Sequence, residues 1–301
     1  MSAVPGSAER RPLNDLASIK TVGRDSVEPV GNDVSAWDFA TADTSEIARS
    51  RLLSIRGEPL FLADWDNVIF IHYRTDPQEL QRCIPYHLDL YDGKAFVSLV
   101  AFTMRGMRPR FGRSLGARFF KPISSHHFLN IRTYITHRAE PGIYFMQEWL
   151  SSRLAAWLGP WSFGLPYRFA RIDYHRNHEH ERRGKIEAGA SSLHFCTTFD
   201  ANDAVICPPG SLDEFLLERY TAFTQFGKRR RFFRIWHEPW RQVPAEIQIA
   251  TDRLIHSTGR WWLGARCIGA NYSPGVNVWM GWPHFIGDSA TVCSTGHESI
   301  L

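Results

Sequence analysis

Between His127 and Ile135 the side chains alternate with a period of two. Leu129, Ile131, Thr133 and Ile135 fall on one face, and Phe128, Asn130, Arg132 and Tyr134 on the other, which is the pattern of a β-strand. Glu140-Pro141-Gly142 predicts a turn, because Pro presets φ at one corner and Gly accepts positive φ at the next. Ile143 to Leu150 then runs back as a partner strand. With even register across the turn, Gln147 joins Asn130, Arg132 and Tyr134; a slip of one residue puts Glu148 there instead. The polar face is either a solvated sheet surface or the wall of a pocket in which Arg132 meets an anion while Asn130 and Tyr134 orient it.

The same reading along the chain predicts many strands and few helices. Asn67 to Arg74 is rich in β-branched and aromatic residues. Asp76 caps a short helix from Pro77 to Cys83. Leu88 to Tyr91 and Ala95 to Met104 form a hairpin about Asp92-Gly93. Arg105 to Lys121 is a loop, Ser151 or Ser152 caps a helix ending at Gly159-Pro160, and Tyr167 to His175 is a strand. Arg176 to Ala190 is a charged, mobile loop and Leu193 to Thr198 returns from it. Ser211 and Glu214 form a capping box for a helix to about Arg219. Thr221 to Phe226, Arg231 to His237, Ala245 to Ala250 and Val276 to Met280 are the remaining strands. The class is therefore mainly β with short helices, a barrel or strongly bent sheet.

Composition divides the 301 residues into a tail at 1–57, one domain at 58–286 and a C-terminal tail at 287–301. The N-terminal segment has few aromatics, although Ser45 to Leu53 fits a short helix. A net charge of +4 is too small to argue for nucleic acid, and no nucleic-acid motif accompanies it. The five cysteines are scattered without a C-x-x-C pair, which implies neither disulfides nor zinc and suggests a reducing cytoplasm. Arg10-Arg11 is followed by Pro-Leu-Asn-Asp rather than the apolar segment of a twin-arginine signal. No run approaches a membrane span, so no membrane partner is expected. His175, His178 and His180 lie in a charge run that reads as solvated surface, and glycine-rich phosphate loops are absent. No cofactor is implied. The Arg-rich 105–121 segment reads as a gating or interface loop, and the tryptophans from Trp236 to Trp282 as core and subunit contact, allowing a homo-oligomer.

An ordered series of motifs carries a family resemblance. His72-Tyr73-Arg74-Thr75-Asp76-Pro77, Asp92-Gly93-Lys94-Ala95-Phe96-Val97, Asn130-Ile131-Arg132-Thr133-Tyr134, Gly164-Leu165-Pro166-Tyr167, Pro209-Gly210-Ser211-Leu212 and Tyr272-Ser273-Pro274-Gly275 resemble the YqjF-like bacterial family, a domain of unknown function. That family is distantly similar to acetoacetate decarboxylase, which implies an antiparallel β barrel enclosing a pocket, with a few peripheral helices. The enzyme uses a lysine of lowered pKa to form a Schiff base. Where its lysine pair should stand, shortly after Glu148-Trp149-Leu150-Ser151, this chain has Arg153, Leu154, Ala155 and Ala156. Arg stays protonated and does not form an imine. A pocket carboxylate expected on the Ala95 strand falls on Val97, and a Glu expected two residues before Asn130 is Phe128. Lys121, in a loop beside Pro122, is the lysine that lies between the Ala95 strand and Glu148.

These readings together predict a small, carboxylate-bearing organic molecule held without Schiff-base chemistry. Arg132 pairs the anion, Asn130 and Tyr134 orient it, and Gln147 or Glu148 with Arg153 and His72 complete the wall. Two alternatives remain: an enzyme acting on a keto acid or related metabolite with Glu148 or His72 as acid or base, and an interaction module using the Arg-rich loop and Trp-rich end.

Overall fold

Fifteen strands account for most of the described residues, as the alternating patterns predict, in a computed structural model that describes residues 41–111, 118 and 120–287. Residues 1–40 of the tail expected over 1–57, the C-terminal residues from 288, and residues 112–117 and 119 of the Arg-rich segment lie outside the described residues. The long strands are β1 (Phe61–Thr75), β3 (Ala95–Pro109), β4 (His126–His137), β5 (Glu140–Leu150), β11 (Thr221–Phe226), β12 (Arg229–His237), β13 (Arg241–Thr251) and β14 (Arg266–Met280). Their pairings run β12-β11-β5-β4-β3-β1-β14, and β14 pairs again with β12 through Trp236–Trp279. The ring of pairings therefore closes on itself.

The sheet is mixed, which corrects the all-antiparallel expectation: β5 runs parallel to β11 and to β6 (Tyr167–Phe169). The predicted 140–142 turn is also corrected. The chain reverses at Arg138-Ala139, where φ is 50° and 62°, and Glu140-Pro141-Gly142 already belongs to β5. Gly142 is there for proximity, since a Cβ on it would stand 2.4 Å from the Thr221 carbonyl oxygen of β11. Asp92-Gly93 does turn, but it closes a single bridge, Tyr91 to Lys94. Residues 87–88 form β2 and pair with β4 instead of β3.

Beyond the ring, β13 leaves β14 and pairs through its second half with β9 (Ser191–Thr198), followed by β8 (Glu181–Ala188) and β7 (Arg171–His178). Residues 176–190 are thus mostly strand rather than loop. Hydrophobic alternation there is hidden by charge, with Arg182, Gly184 and Ile186 buried and Arg183 and Lys185 exposed. This flap covers the outer face of the ring, where Leu129, Ile131 and Trp149 meet Ile172, Ile186, Leu193 and Phe195. The inner face holds Val68, Phe70, Phe96, Val100, Phe102, Phe128, Tyr134 and Phe145. Both faces of β4 are therefore buried, and the solvated-surface reading of its polar side falls.

The helices are short. α1 (Thr41–Leu53) precedes the expected domain start and packs on β12. The Ser45 hydroxyl donates to the His237 carbonyl at 2.8 Å, Trp236 Nε1 donates to the Ser45 carbonyl, and Leu52 is fully buried; burying such a leucine contributes about 2 kcal/mol. α2 (Pro77–Gln81) is capped by Asp76. α3 (Arg153–Ser162) is capped by Ser152 and runs through the predicted stop at Gly159-Pro160. α4 (Leu212–Leu217) starts from Ser211 as predicted, and α5 (Arg253–His256) follows β13. Among the described residues no helix is long and apolar enough to cross a membrane.

Candidate functional site

A bulge decides which polar residue of β5 enters the ring. Ile131 pairs with Gln147, but Arg132 pairs with Phe145, so one β5 residue is skipped and the register shifts. Glu148 then lies opposite Asn130 on the inner face, while Gln147 shares the outer face with Ile131. Of the two alternatives left by the sequence, Glu148 is the inward one.

Asn130 and Glu148 border a cavity of about 490 Å³, within the usual range for small-molecule sites. Most of its wall is apolar: Trp65, Phe102, Met104, Phe128, Phe145 and Phe233 are representative. Ala155, Leu158, Gly159 and Ser162 bring one face of α3 against it, and His126 and Tyr167 add to the polar strip. Phe128, which stands where the resemblance implies a Glu, stacks on Phe102 at 5.0 Å between ring centroids. Tyr167 is held close to α3, because any Cβ at Gly159 would overlap its ring at 2.1 Å.

The strip is polar but underpaired. Glu148 Oε2, Asn130 Oδ1, Trp65 Nε1 and both ring nitrogens of His126 are buried without a hydrogen-bond partner. Burial, which disfavours the charged form, holds the Glu148 carboxyl well above its ordinary pKa. Burial likewise raises the Tyr167 hydroxyl, with Glu148 adding to the rise. His126 is lowered to about 4, first by burial and then by His127, with the Ile123 backbone opposing. The unpaired set thus mixes acceptors and donors: a carboxyl oxygen, an amide oxygen, an indole N–H and an imidazole whose charged form burial disfavours.

Arg132, Tyr134 and His72 come together in a second, more densely bonded cluster next along β4. His72 Nδ1 lies 2.7 Å from Ser98 Oγ and its Nε2 3.0 Å from Asn271 Oδ1. The Asn271 amide donates to Gln242 Oε1 at 2.6 Å. Ser98 Oγ in turn is 2.6 Å from the Tyr134 hydroxyl, which also reaches the Leu216 carbonyl at 2.8 Å. Burial and the neighbouring Arg132 lower His72 to about 3. Arg132 is buried, donates from Nη2 to the Leu216 carbonyl and leaves Nε unpaired. Its guanidinium lies 5.5 Å from the Phe70 ring centre, and among the described residues no carboxylate is within 4 Å of it. Glu218, raised by burial to about 7, accepts from Tyr220 OH and the Trp240 amide nearby.

The remaining expected residues lie elsewhere. Arg153 is exposed, with its guanidinium 4.5 Å from the Phe169 ring centre. Gln147 is half-buried behind β5. Lys121 is exposed in the 121–123 turn, whose Ile123 lines the cavity. Of the four residues that stand where the resemblance implies a lysine pair, Arg153 to Ala156, Ala155 lines the cavity. Sequence reasoning missed Trp65, His126 and Tyr167; the Gly164-Leu165-Pro166-Tyr167 motif was the one signal that marked any of them. Among the described residues no group of three His, Cys, Asp or Glu side chains could hold a metal ion.

Residues 62–276 match the family model DUF2071, described as an uncharacterized conserved protein. The uncharacterized protein YqjF of Bacillus subtilis (strain 168) is 29% identical over 207 residues, covering 65% of this chain and 80% of YqjF. Among solved structures, acetoacetate decarboxylase from Legionella pneumophila is similar at 12% identity and a TM-score of 0.53, over 76% of this chain and 88% of that one. An acetoacetate decarboxylase-like enzyme from Sphingomonas wittichii RW1 gives 14% and 0.52, over 77% and 94%. The enduracididine biosynthesis enzyme MppR, solved with pyruvate, gives 13% and 0.55, over 77% and 92%. At these identities the likeness is one of fold.

Proposed function

The chain belongs to the DUF2071 family, and from that premise we propose that it is a barrel-shaped binder of a small organic molecule with a mainly apolar body and a carboxyl head, held without an imine. The observation that carries this reading is the cavity bordered by Asn130 and Glu148, whose wall is apolar except for one strip of unpaired polar groups. A carboxyl head there lies among the Glu148 carboxyl, the Asn130 amide and the Tyr167 hydroxyl, with the unpaired Trp65 N–H as a donor to it. Arg132, two residues along the same face and paired across the sheet with the cavity-lining Phe145, supplies the positive field that favours an anionic head. Tyr134 and His72 fix Arg132's surroundings through the Leu216 carbonyl and Ser98.

The test is thermal unfolding against a panel of small aliphatic and aromatic carboxylic acids with their neutral amides. At least one acid should raise Tm, and Arg132→Ala should abolish the rise. A rise that survives Arg132→Ala with every binding acid rejects the anion assignment.

A second reading is an enzyme acting on a keto acid, favoured by one observation: Glu148 is a buried carboxyl beside a mostly apolar cavity, its pKa raised by burial, a setting suited to general acid chemistry. Turnover of keto acids that disappears in Glu148→Gln supports it. Borohydride trapping of a substrate on Lys121 would instead support imine chemistry; the exposed position of Lys121 argues against that route. The pyruvate in MppR belongs to that protein and enters here only as a member of the panel.

A further inference from the structure

We propose that the outer face of α3 is a docking surface for an anionic lipid bilayer, on which the chain lies without spanning it. Leu154, Trp157 and Trp161 follow at i, i+3 and i+7, the spacing of the stripe that an amphipathic helix ordinarily turns toward a core, and Leu158 at its edge also lines the cavity. Here it faces outward: Trp157 is 66% exposed, Trp161 69% and Leu154 47%. The helix has no freedom to roll this side inward, because Gly159 is wedged against Tyr167 and Ala155 closes the cavity. Neighbouring apolar groups extend the stripe. The Trp161 and Phe226 rings are 5.7 Å apart, and Arg231, which donates to the Trp161 and Ser162 carbonyls, lies 4.9 Å from the ring centre of exposed Phe285.

Charge selects the partner. The sequence contains no Asp or Glu from 105 to 139, from 149 to 172 or from 219 to 237, and these segments supply α3, its flanks and the β11–β12 turn. That turn presents exposed Lys228 and Arg229 beside Phe226; Arg153 opens α3, and Lys121 is exposed in the turn that adjoins the cavity. Protruding indoles backed by cations without carboxylates suit the boundary between headgroups and acyl chains. Trp partitions there, and anionic headgroups attract Lys and Arg. A nucleic acid would engage the cations and leave the Trp–Leu stripe without apolar cover. The expectation of no membrane partner rested on span length, which a helix lying on a surface does not need. The proposal is independent of what fills the cavity.

Flotation of the full chain with phosphatidylglycerol-rich vesicles, against pure phosphatidylcholine vesicles, tests it. The native chain should float with the anionic vesicles and not the zwitterionic ones. Binding should fall about tenfold or more in Trp157→Ser/Trp161→Ser and in Lys228→Glu/Arg229→Glu, with the circular dichroism and Tm of both variants unchanged. No flotation of the native chain, or flotation retained in both variants, overturns the proposal. So does a dimer by light scattering that the tryptophan variant dissolves in the absence of vesicle binding, which assigns the stripe to a second copy.

Discussion

Arg132 and Tyr134, alternate residues on the inner face of β4, converge on one acceptor, the Leu216 carbonyl, at 2.9 and 2.8 Å. This carbonyl lies at the end of α4, where a helix leaves acceptors unsatisfied. The pair therefore fastens the helix end to the ring wall while holding a cation that has no carboxylate within 4 Å among the described residues.

Because Arg132 can still serve the carbonyl, Tyr134→Phe should lower stability by about 1 kcal/mol. Arg132→Ala should cost about 3 kcal/mol through the lost stem beside Phe70. Arg132→Met keeps that volume and removes a buried charge, so its loss should be the smaller of the two. Urea unfolding at constant m-value checks the order, and equal losses for Met and Ala would contradict it.

Stability should depend on pH through two opposed sets of groups. Burial raises Glu148 and Glu218, the latter to about 7; their contribution is full below the unfolded pKa of 4.5 and is lost as pH rises through the folded values. Burial lowers His72 to about 3, and His126 and His237 to about 4. Their contribution is present above the unfolded value of 6.5 and is lost as pH falls toward the folded ones. The contribution of these groups should therefore peak near pH 6.5. Glu148→Gln should remove part of the alkaline decline and leave the acid limb in place, read from Tm across the pH range.

Gly142 sits where β5 meets β11, and a methyl group there would press on the Thr221 carbonyl and the Phe223 ring. Gly142→Ala should destabilise by about 3 kcal/mol, since neither a backbone carbonyl nor a packed ring can yield cheaply. A calorimetric loss below about 1 kcal/mol would show that the two strands can part without cost.

Ala155 faces the cavity and is one of the four residues, Arg153 to Ala156, that stand where the resemblance implies a lysine pair. Ala155→Lys should set an amine among Phe and Met side chains, with its pKa lowered by burial. Pyruvate and borohydride should then leave an adduct mass on the variant and none on the native chain. An adduct on native Lys121 would show that an amine already reaches a keto acid.

Strand β4, the Asp76 cap and the Ser211–Glu214 box were legible because each rests on local spacing. The polar side of β4 was legible as a set, and three of its expected partners, His72, Tyr134 and Arg132, do meet. The choice between Gln147 and Glu148 was not legible, because it depends on one bulge that no residue type announces. Gly142 and Gly159 look like a turn and a stop in sequence, but both are sites of close approach to residues far along the chain. The hydrophobic signal of β8 was masked by Arg182, a charged side chain that the fold buries. Arg153 follows the Glu148 strand closely in sequence, yet the start of α3 turns it outward.

The ring is unevenly fastened. β1 and β14 are paired from Phe61–Met280 to Arg74–Arg266, whereas β5 and β11 meet through Ala222–Ile143 and Phe223–Tyr144 alone. Thermal fluctuation concentrates where the fewest bonds must break, so this seam is the molecule's natural slit. Past it, the same edge of β5 is taken up by β6, from Glu148–Tyr167 to Leu150–Phe169. Amide protons at Ala222 and Phe223 should therefore exchange with solvent sooner than those of β1.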